Sequence, residues 1–288
     1  MDLTLIHKPK AGEADWPADR VMAAVEGAGL RARYHSMDDE GWRRAAHDAD
    51  GPVLVAGGDG TVERVACALQ GQSAALAILP IGGSNNIARS YGACLPPDKV
   101  LAGLGAARRR SLHLCRAQGA NGVHCFVESI GIGALARSSM RLPDAPTRQE
   151  KRDRGRYALR DGLREARAVP ARVVVDGEAL PDPALLVEVM NIAIVGPNLR
   201  LVPGWDPEAP HLMVTWLPTS GRQAMVDWLA EPDGRAPPLR RRAARHVLFE
   251  LDDEHLHVAD EFLPEVRGAV AVARDDTTLQ LLVPEAAS

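Results

Sequence analysis

The chain has 288 residues, of which 46% are hydrophobic and 25% are charged, the balance of a globular protein with a substantial core. The formal net charge of -4 argues against nucleic-acid binding, so any basic surface would have to be local. No segment reaches the roughly 18 apolar residues of a membrane span, and the N-terminus lacks the pattern of a signal peptide. We therefore expect a cytoplasmic protein that meets membranes only peripherally.

The first third of the chain alternates short apolar runs with segments of helical periodicity. The runs at 52–56 and 75–79 are continuously apolar, as in strands that are buried on both faces of a sheet. In 16–28, apolar residues recur at the spacing of a helix. The alternation of β and α signals predicts a parallel sheet with flanking helices. The same reasoning adds strands at 3–6 and 30–35 and helices at 40–49, 62–69 and 86–91.

The pattern becomes strand-rich after about residue 110. One helical stretch, 149–168, interrupts it. We therefore predict an α/β domain over 1–110 and a β-rich domain over 111–288. The strand-like runs of the second domain are 123–128, 171–175, 185–189, 211–216, 246–251, 256–258, 269–273 and 279–283.

The apolar run at 52–56 leads directly into a glycine-rich turn, which is formed by Gly57, Gly58, Asp59, Gly60 and Thr61. Glycines permit positive φ and let the backbone approach a ligand closely. The helix that follows presents N–H groups and a partial positive charge, and both favour phosphate. Taken alone, this turn could also be a plain connection between a strand and a helix.

A second turn of the same kind follows the next strand and contains Gly82, Gly83, Ser84 and Asn85. Both turns lie at the carboxyl ends of predicted parallel strands, which is where open α/β sheets bind ligands. Two such turns at one edge of a sheet indicate a ligand that carries phosphates.

The order and spacing of these turns resemble the diacylglycerol kinase catalytic family, which includes sphingosine kinases and bacterial lipid kinases and is more distantly related to NAD kinases. The family's Asn-Pro-x-x-Gly, Gly-Gly-Asp-Gly-Thr and Pro-x-Gly-Thr-x-Asn-Asp-x-Ala-Arg segments correspond to 8–12, 57–61 and 80–89. Weaker matches continue at 129–134 and 173–178. The resemblance implies that 1–110 is a nucleotide-binding domain and that 111–288 is a β-sandwich-like substrate domain. It also implies transfer of a phosphoryl group from ATP, with Mg²⁺, to a lipid hydroxyl such as that of diacylglycerol.

The resemblance also implies roles for individual residues. Asp59 is expected to orient Mg²⁺ and to take part in catalysis. The first loop and the two glycine turns are expected to hold the nucleotide through Lys8, Gly57, Gly58, Gly60, Thr61, Gly82, Gly83, Ser84 and Asn85.

The acceptor side departs from the family pattern. The Asp of a late Asp-Gly-Glu motif is the base expected from the family, and its position corresponds to Ala259, which precedes Asp260 and Glu261. Asp260 would then have to accept the proton, with Glu261 beside it, although a one-residue shift along a strand turns a side chain to the other face. The loop at 203–210 lacks the Asp-Gly pair that binds a structural Mg²⁺ in some members of the family.

The nucleotide side departs as well, because Lys8 replaces an Asn, Gly83 replaces a Thr and Asn86 replaces an Asp. A Lys can pair with phosphate but cannot accept a hydrogen bond from a nucleotide. These changes leave two alternatives open. The chain could bind nucleotide or lipid without catalysis, or it could phosphorylate a soluble hydroxyl compound.

A basic segment, 137–167, holds ten Arg or Lys residues and five acidic ones. Such a patch could contact an anionic membrane, since each basic residue near the surface contributes roughly 1 kcal/mol. It could equally be a solvated helix face. The sequence does not settle the oligomeric state.

Overall fold

The computed structural model describes residues 1–12, 14–139, 147–232 and 234–285. These residues divide into two compact units, Met1–Leu114 with the segment from Asp276 onward, and Cys115–Asp275. Within the described ranges, no helix is both long enough and apolar enough to cross a bilayer. Two charged residues of the predicted basic segment, Arg141 and Asp144, lie outside the described residues.

Four parallel strands form the centre of the first unit, namely β1 (Asp2–His7), β2 (Arg31–Ser36), β3 (Val53–Gly57) and β4 (Leu76–Pro80). Their spatial order in the sheet is β2-β1-β3-β4. Its helices are α1 (Ala18–Gly27), α2 (Trp42–His47), α3 (Asp59–Ala68), α4 (Asn86–Ser90) and α5 (Pro97–Gly103). From β1 the chain continues to β2 at one edge of the sheet, and from β3 it continues to β4 in the opposite direction. The strand order therefore reverses between β1 and β3.

Burial explains why these elements form. Every residue of β3 and β4 is buried, in agreement with their continuous apolar runs. Val21 and Val25 of α1 belong to the same apolar core cluster as Leu5 and Leu54 of the sheet. Helix α5 was not predicted, because its seven residues are too few to show a helical period, although Pro97 suits a first helical turn.

The second unit is built mainly from antiparallel strands. The remaining strands are β5 (Arg108–Gly119), β6 (Gly122–Phe126), β7 (Ser129–Gly133), β8 (Ala171–Val175), β9 (Glu178–Ala179), β10 (Ala184–Met190), β11 (Ile194–Val195), β12 (Leu199–Arg200), β13 (Leu212–Pro218), β14 (Arg240–Ala244), β15 (His246–Val258) and β16 (Glu261–Val283). The main sheet of this unit has the order β14-β13-β10-β7-β15-β16, and β8 pairs with β15. Its helices are α6 (Ala134–Ser139), α7 (Arg148–Glu165) and α8 (Arg222–Ala230). Parallel strands with helices followed by an antiparallel, strand-rich unit confirm the predicted fold class.

Some predicted strand boundaries were wrong. The runs at 246–251 and 256–258 belong to the single strand β15, whose pairing with β16 shifts register between Leu251 and Leu256. Asp253, with φ of +62°, lies in this irregular stretch. The polar residues that suggested a break in the sequence therefore belong to a bulge, which bends a strand without ending it.

The end of β16 returns to the first unit, which the predicted division at residue 110 did not anticipate. Leu281 and Leu282 pair in parallel with Leu76 and Ala77 of β4. Both leucines are buried there, so their apolar character reflects a place in the first sheet. The sequence gives no signal of this return, because an apolar strand has no mark of the sheet it joins.

A buried ion pair crosses the middle of the second unit's sheet. Glu188 of β10 and His257 of β15 both lie opposite Gly131 of the strand between them, β7. The Nε2 of His257 lies 2.8 Å from Oε2 of Glu188. A Cβ at Gly131 would lie 2.2 Å from Oε1 of Glu188, so the two side chains meet only because this position has no side chain.

Substituting Gly131→Ala should therefore destabilise the protein by about 2–4 kcal/mol, because the added methyl group separates a buried ion pair. Urea denaturation followed by circular dichroism measures this as a lower midpoint. Gly105→Ala is the matched control, since a Cβ at that glycine meets no atom within 4 Å. Equal midpoints for the two variants would contradict the role of Gly131.

Candidate functional site

The candidate site lies at the carboxyl ends of β1, β3 and β4. The reversal of strand order between β1 and β3 creates a crevice at this edge, and open α/β sheets bind their ligands in such crevices. Lys8 directly follows β1, Gly57 is the last residue of β3, and the turn with Gly82 follows β4.

The first glycine turn is shorter than its sequence indicates. Helix α3 begins at Asp59, so Asp59, Gly60 and Thr61 form its first helical turn, with Gly58 as the N-cap. A Cβ at Gly57 would lie 2.6 Å from the Cβ of Thr61, which is buried. The strand therefore passes into the helix without space for a side chain, and the positive end of the ten-residue helix lies at the edge of the sheet.

The second turn is closed by the side chain of Asn85. Its Oδ1 accepts a hydrogen bond from the Gly82 N–H at 3.0 Å, and its Nδ2 donates to the carbonyls of Pro80 at 3.1 Å and Gly82 at 3.0 Å. Asn85 is 7% exposed and has φ of +52°, a left-handed conformation that asparagine tolerates. Its side chain thus shapes the turn.

The two turns are in direct contact. A Cβ at Gly82 would lie 2.2 Å from the Cα of Gly58, a distance that excludes any side chain at position 82, and a Cβ at Gly58 would lie tightly at 3.2 Å from the Cα of Gly82. The Ile87 N–H also donates to Oδ1 of Asp59 at 2.9 Å, so a carboxylate of the first turn caps the helix after the second. By contrast, a Cβ at Gly83 would meet no atom within 4 Å. The two turns thus contact each other backbone to backbone, with open space at the position of Gly83.

Three further predicted residues border these turns. The Lys8 N–H donates to the carbonyl of Ala56 at 3.0 Å, and its ammonium group pairs with Asp38. The hydrogen bond from the Lys8 ammonium group lowers the pKa of the Asp38 carboxyl. The carbonyls of Gly60 and Ser84 accept hydrogen bonds from Arg64 and Arg89, respectively. Lys8 therefore brings a cation to this edge of the sheet.

Sequence reasoning missed His7, the last residue of β1. His7 is buried, and its Nδ1 lies 3.1 Å from the hydroxyl of Tyr34. Burial lowers the pKa of His7, so the ring is neutral. A polar residue that ends an apolar strand at the ligand-binding edge was the signal available in the sequence.

In their chemistry these residues fit the phosphates of ATP, because the two glycine turns contact each other beside the N-terminus of α3, whose partial positive charge favours phosphate. For Mg²⁺ the fit is more limited. The described residues contain no cluster of three or more His, Cys, Asp or Glu side chains that could hold a metal ion. Mg²⁺ in kinases is commonly held by one or two carboxylates and by the phosphates themselves, which is compatible with a contribution from Asp59.

The predicted acceptor residues lie in the second unit, at the hairpin between β15 and β16. Val258 pairs with Glu261, so Ala259 and Asp260 form a two-residue turn. The concern that a one-residue shift reverses the face of Asp260 was wrong, because turn geometry and not strand alternation directs this side chain. Glu261 is exposed, and its Oε2 atom lies 3.2 Å from Nδ1 of His124.

The loop at 203–210 is held by an arginine. Arg274 donates through Nε to Oδ1 of Asn191 at 2.9 Å and through Nη2 to the carbonyl of Pro207 at 3.3 Å. It also donates to the carbonyl of Ala209. A side-chain cation thus satisfies the carbonyls of this loop, which lacks the expected Asp-Gly pair.

Comparisons with known proteins agree with this description of the first unit. Residues 2–117 match the diacylglycerol kinase catalytic domain. No curated protein matches the sequence.

Solved structures share the fold over almost the whole chain. A candidate diacylglycerol kinase from Bacillus anthracis is 19% identical, with a TM-score of 0.77 over 99% of this chain and 98% of that one. An NAD kinase from Archaeoglobus fulgidus in complex with ATP is 12% identical, with a TM-score of 0.58 over 99% and 94% of the two chains. Yeast NADH kinase with NADH is 10% identical, with a TM-score of 0.53 over 99% and 84%. The fold is thus that of these kinases, and the match of residues 2–117 to the diacylglycerol kinase catalytic domain agrees with the resemblance that the glycine turns indicated.

Proposed function

We propose that the protein is an ATP-dependent kinase that transfers the γ-phosphoryl group to a lipid hydroxyl, such as that of diacylglycerol. The contact between Gly58 and Gly82 carries this proposal, because it forms a backbone cradle within the matched catalytic domain. Phosphoryl transfer depends mainly on positioning and on stabilisation of charge, and a rigid cradle supplies both.

The nucleotide would be held by backbone N–H groups and by the N-terminus of α3. Lys8 would add a positive charge once it exchanges the carboxylate of Asp38 for a phosphate. Thr61 and Asn85 would act indirectly, because both side chains are buried and shape the turns. Gly83 and Ser84 lie beside them on the turn after β4, and the space at Gly83 leaves the backbone accessible.

Asp59 would contribute to a magnesium site together with the phosphates. When bound, Mg²⁺ neutralises charge on the phosphates that react. Asp59 itself would have two roles, since Oδ1 caps α4 through the N–H of Ile87 while the carboxylate supplies negative charge beside the cradle. These roles can be separated, because an asparagine keeps the acceptor oxygen and loses the charge.

On the acceptor side, Asp260 would take the proton of the lipid hydroxyl. Asp260 is exposed at the tip of a hairpin, so a substrate can reach its carboxylate. Glu261 would orient the hydroxyl or the turn, in contact with His124.

A lipid acceptor is supported by the surface of α7. Lys151, Arg154 and Tyr157 are exposed at intervals of three residues, so they share one face of the helix. Tyr157 is 64% exposed, which is unusual for an aromatic side chain and typical of residues at a membrane interface. We therefore propose that this α7 face contacts an anionic membrane.

The purified protein should transfer radiolabel from γ-labelled ATP to diacylglycerol in vesicles. Asp59→Asn should lower kcat by roughly 10²-fold or more while the melting temperature stays close to that of the wild type, because only the charge is lost. Asp59→Ala should lose the cap of α4 as well, at a cost of about 1 kcal/mol.

Three outcomes separate the alternatives. Absence of nucleotide binding would refute the proposal. Binding of ATP without transfer to any acceptor would identify a non-catalytic binding protein. Transfer to glycerol in solution, with none to vesicle lipid, would identify a kinase of soluble hydroxyl compounds.

Asp260→Asn should lower kcat by about 10²- to 10⁴-fold, as expected for loss of a general base. Adding Ala259→Asp to that variant should restore part of the activity, because it returns a carboxylate to the adjacent position of the same turn. Aspartate also tolerates the φ of +47° at residue 259 better than alanine does. Asp252→Asn is the control, as its carboxylate is exposed on β15 away from the turn. Unchanged kcat in Asp260→Asn would exclude Asp260 as the base.

Reversing the charges of Lys151→Glu and Arg154→Glu together should weaken binding to vesicles that contain anionic lipid, by roughly 1 kcal/mol or more per residue. Vesicle sedimentation at low and high salt measures this loss. The control is Arg43→Glu with Lys99→Glu, an equal change of charge at two exposed positions of the first unit. If both double variants bind alike, the α7 face is not the contact surface.

A further inference from the structure

The buried pair of Glu188 and His257 contacts the acceptor turn directly. Nδ1 of His257 lies 3.2 Å from the carbonyl oxygen of Ala259, while Nε2 faces Glu188. Both ring nitrogens therefore face acceptors, and a histidine satisfies two acceptors only when both nitrogens carry a proton. Burial alone would lower the pKa of His257, but the charge of Glu188 and the hydrogen bonds to Glu188 and Ala259 raise it above its ordinary value. The positions of the two acceptors and the direction of the pKa shift both favour the imidazolium form of the ring.

Ala259 is fixed at both of its backbone polar groups. Its N–H donates to the carbonyl of Ser129 at 2.7 Å, and its carbonyl accepts from His257. Its φ of +47° is a left-handed conformation, which a residue with a Cβ keeps only where its surroundings enforce it. These two hydrogen bonds supply that enforcement, one from β7 and one from the ion pair.

Glu188 depends on His257 in turn. It is fully buried, and within the described part of the chain its Oε1 meets no hydrogen-bond partner. A buried carboxylate with one strong partner is costly to leave unpaired. Glu188 therefore holds the His257 ring in place and keeps it charged, while Gly131 leaves space for the contact.

We propose that His257, backed by Glu188, is a positioning residue that fixes the turn of Ala259 and Asp260 and thereby the direction of the Asp260 carboxylate. The inference rests on the proposed function insofar as Asp260 is the proton acceptor. The hold on the turn itself does not depend on any activity. The pair occupies the sheet interior, so it acts on the turn without touching a substrate.

The test compares two substitutions that each keep half of the imidazole. In His257→Gln the side-chain amide nitrogen replaces Nε2, so a donor to Glu188 remains and the donor to Ala259 is lost. In His257→Asn the amide nitrogen replaces Nδ1, so the donor to Ala259 remains and Glu188 loses its partner. Phe249→Leu, a change in the buried core of the same strand, is the control for destabilisation alone.

His257→Gln should lower kcat by about 30- to 100-fold with little change in the KM for ATP, because a small displacement of a reacting group has effects of this size. His257→Asn should show a loss about ten-fold smaller, despite the lower melting temperature that an unpaired Glu188 causes. Phe249→Leu should keep the wild-type kcat below its melting temperature. A kcat for His257→Gln equal to that of the wild type, or an equal loss in Phe249→Leu, would overturn the proposal.

Hydrogen exchange separates this inference from the proposed function. If the wild type transfers no phosphoryl group, the proposed function fails, and the hold on the turn is still measured at the Ala259 amide. Its exchange rate should rise about ten-fold in His257→Gln, because the turn opens locally, and should not change in Phe249→Leu. An unchanged rate in His257→Gln would overturn the positioning role whatever the activity.

Discussion

The candidate site depends on one contact, the approach of the Gly58 and Gly82 backbones. Since a Cβ at Gly82 would lie 2.2 Å from the Cα of Gly58, the two turns keep this contact only as long as position 82 has no side chain. Asn85 sets the shape of the second turn, and Asp59 ties its helix to the first. Phosphate binding by backbone N–H groups requires such preorganisation, because flexible amides would lose entropy when they bind.

In the second unit, charged side chains hold a turn in place. Glu188 and His257 reach each other over Gly131, and the histidine continues to the carbonyl of Ala259. In both units a glycine creates the space in which polar groups meet. The two devices differ in their energetics, because a backbone contact costs no desolvation, whereas a buried ion pair is stable only as long as both partners stay in place.

Much of this organisation could be predicted from the sequence. Continuous apolar runs gave β3 and β4, and the glycines that follow them gave the turns and the kinase family. The contact between the two turns could not be predicted, because spacing along the chain does not report which backbones touch. The structural role of Asn85 could not be predicted either. It was expected to bind nucleotide, and in the structure its side chain closes its own turn.

On the acceptor side, the sequence identified a candidate residue but not its structural context. Asp260 was located by motif alignment, but its place at a hairpin tip was not predicted, because the sequence pattern does not distinguish a hairpin tip from a strand. His257 was expected to be an exposed residue, as a His on an alternating strand usually is, but it is buried, and its partner Glu188 lies far away in sequence. Long-range polar pairs of this kind leave no periodic signal.

The return of β16 to the first sheet has a consequence for synthesis of the protein. Leu281 and Leu282 complete the sheet beside β4, so the sheet of the first unit lacks a neighbouring strand while the ribosome is still making the second unit. During that interval the apolar edge of β4 is open to pairing with other chains. The first unit is therefore discontinuous in sequence and reaches its final form only after the strand residues Leu281 and Leu282 have been translated.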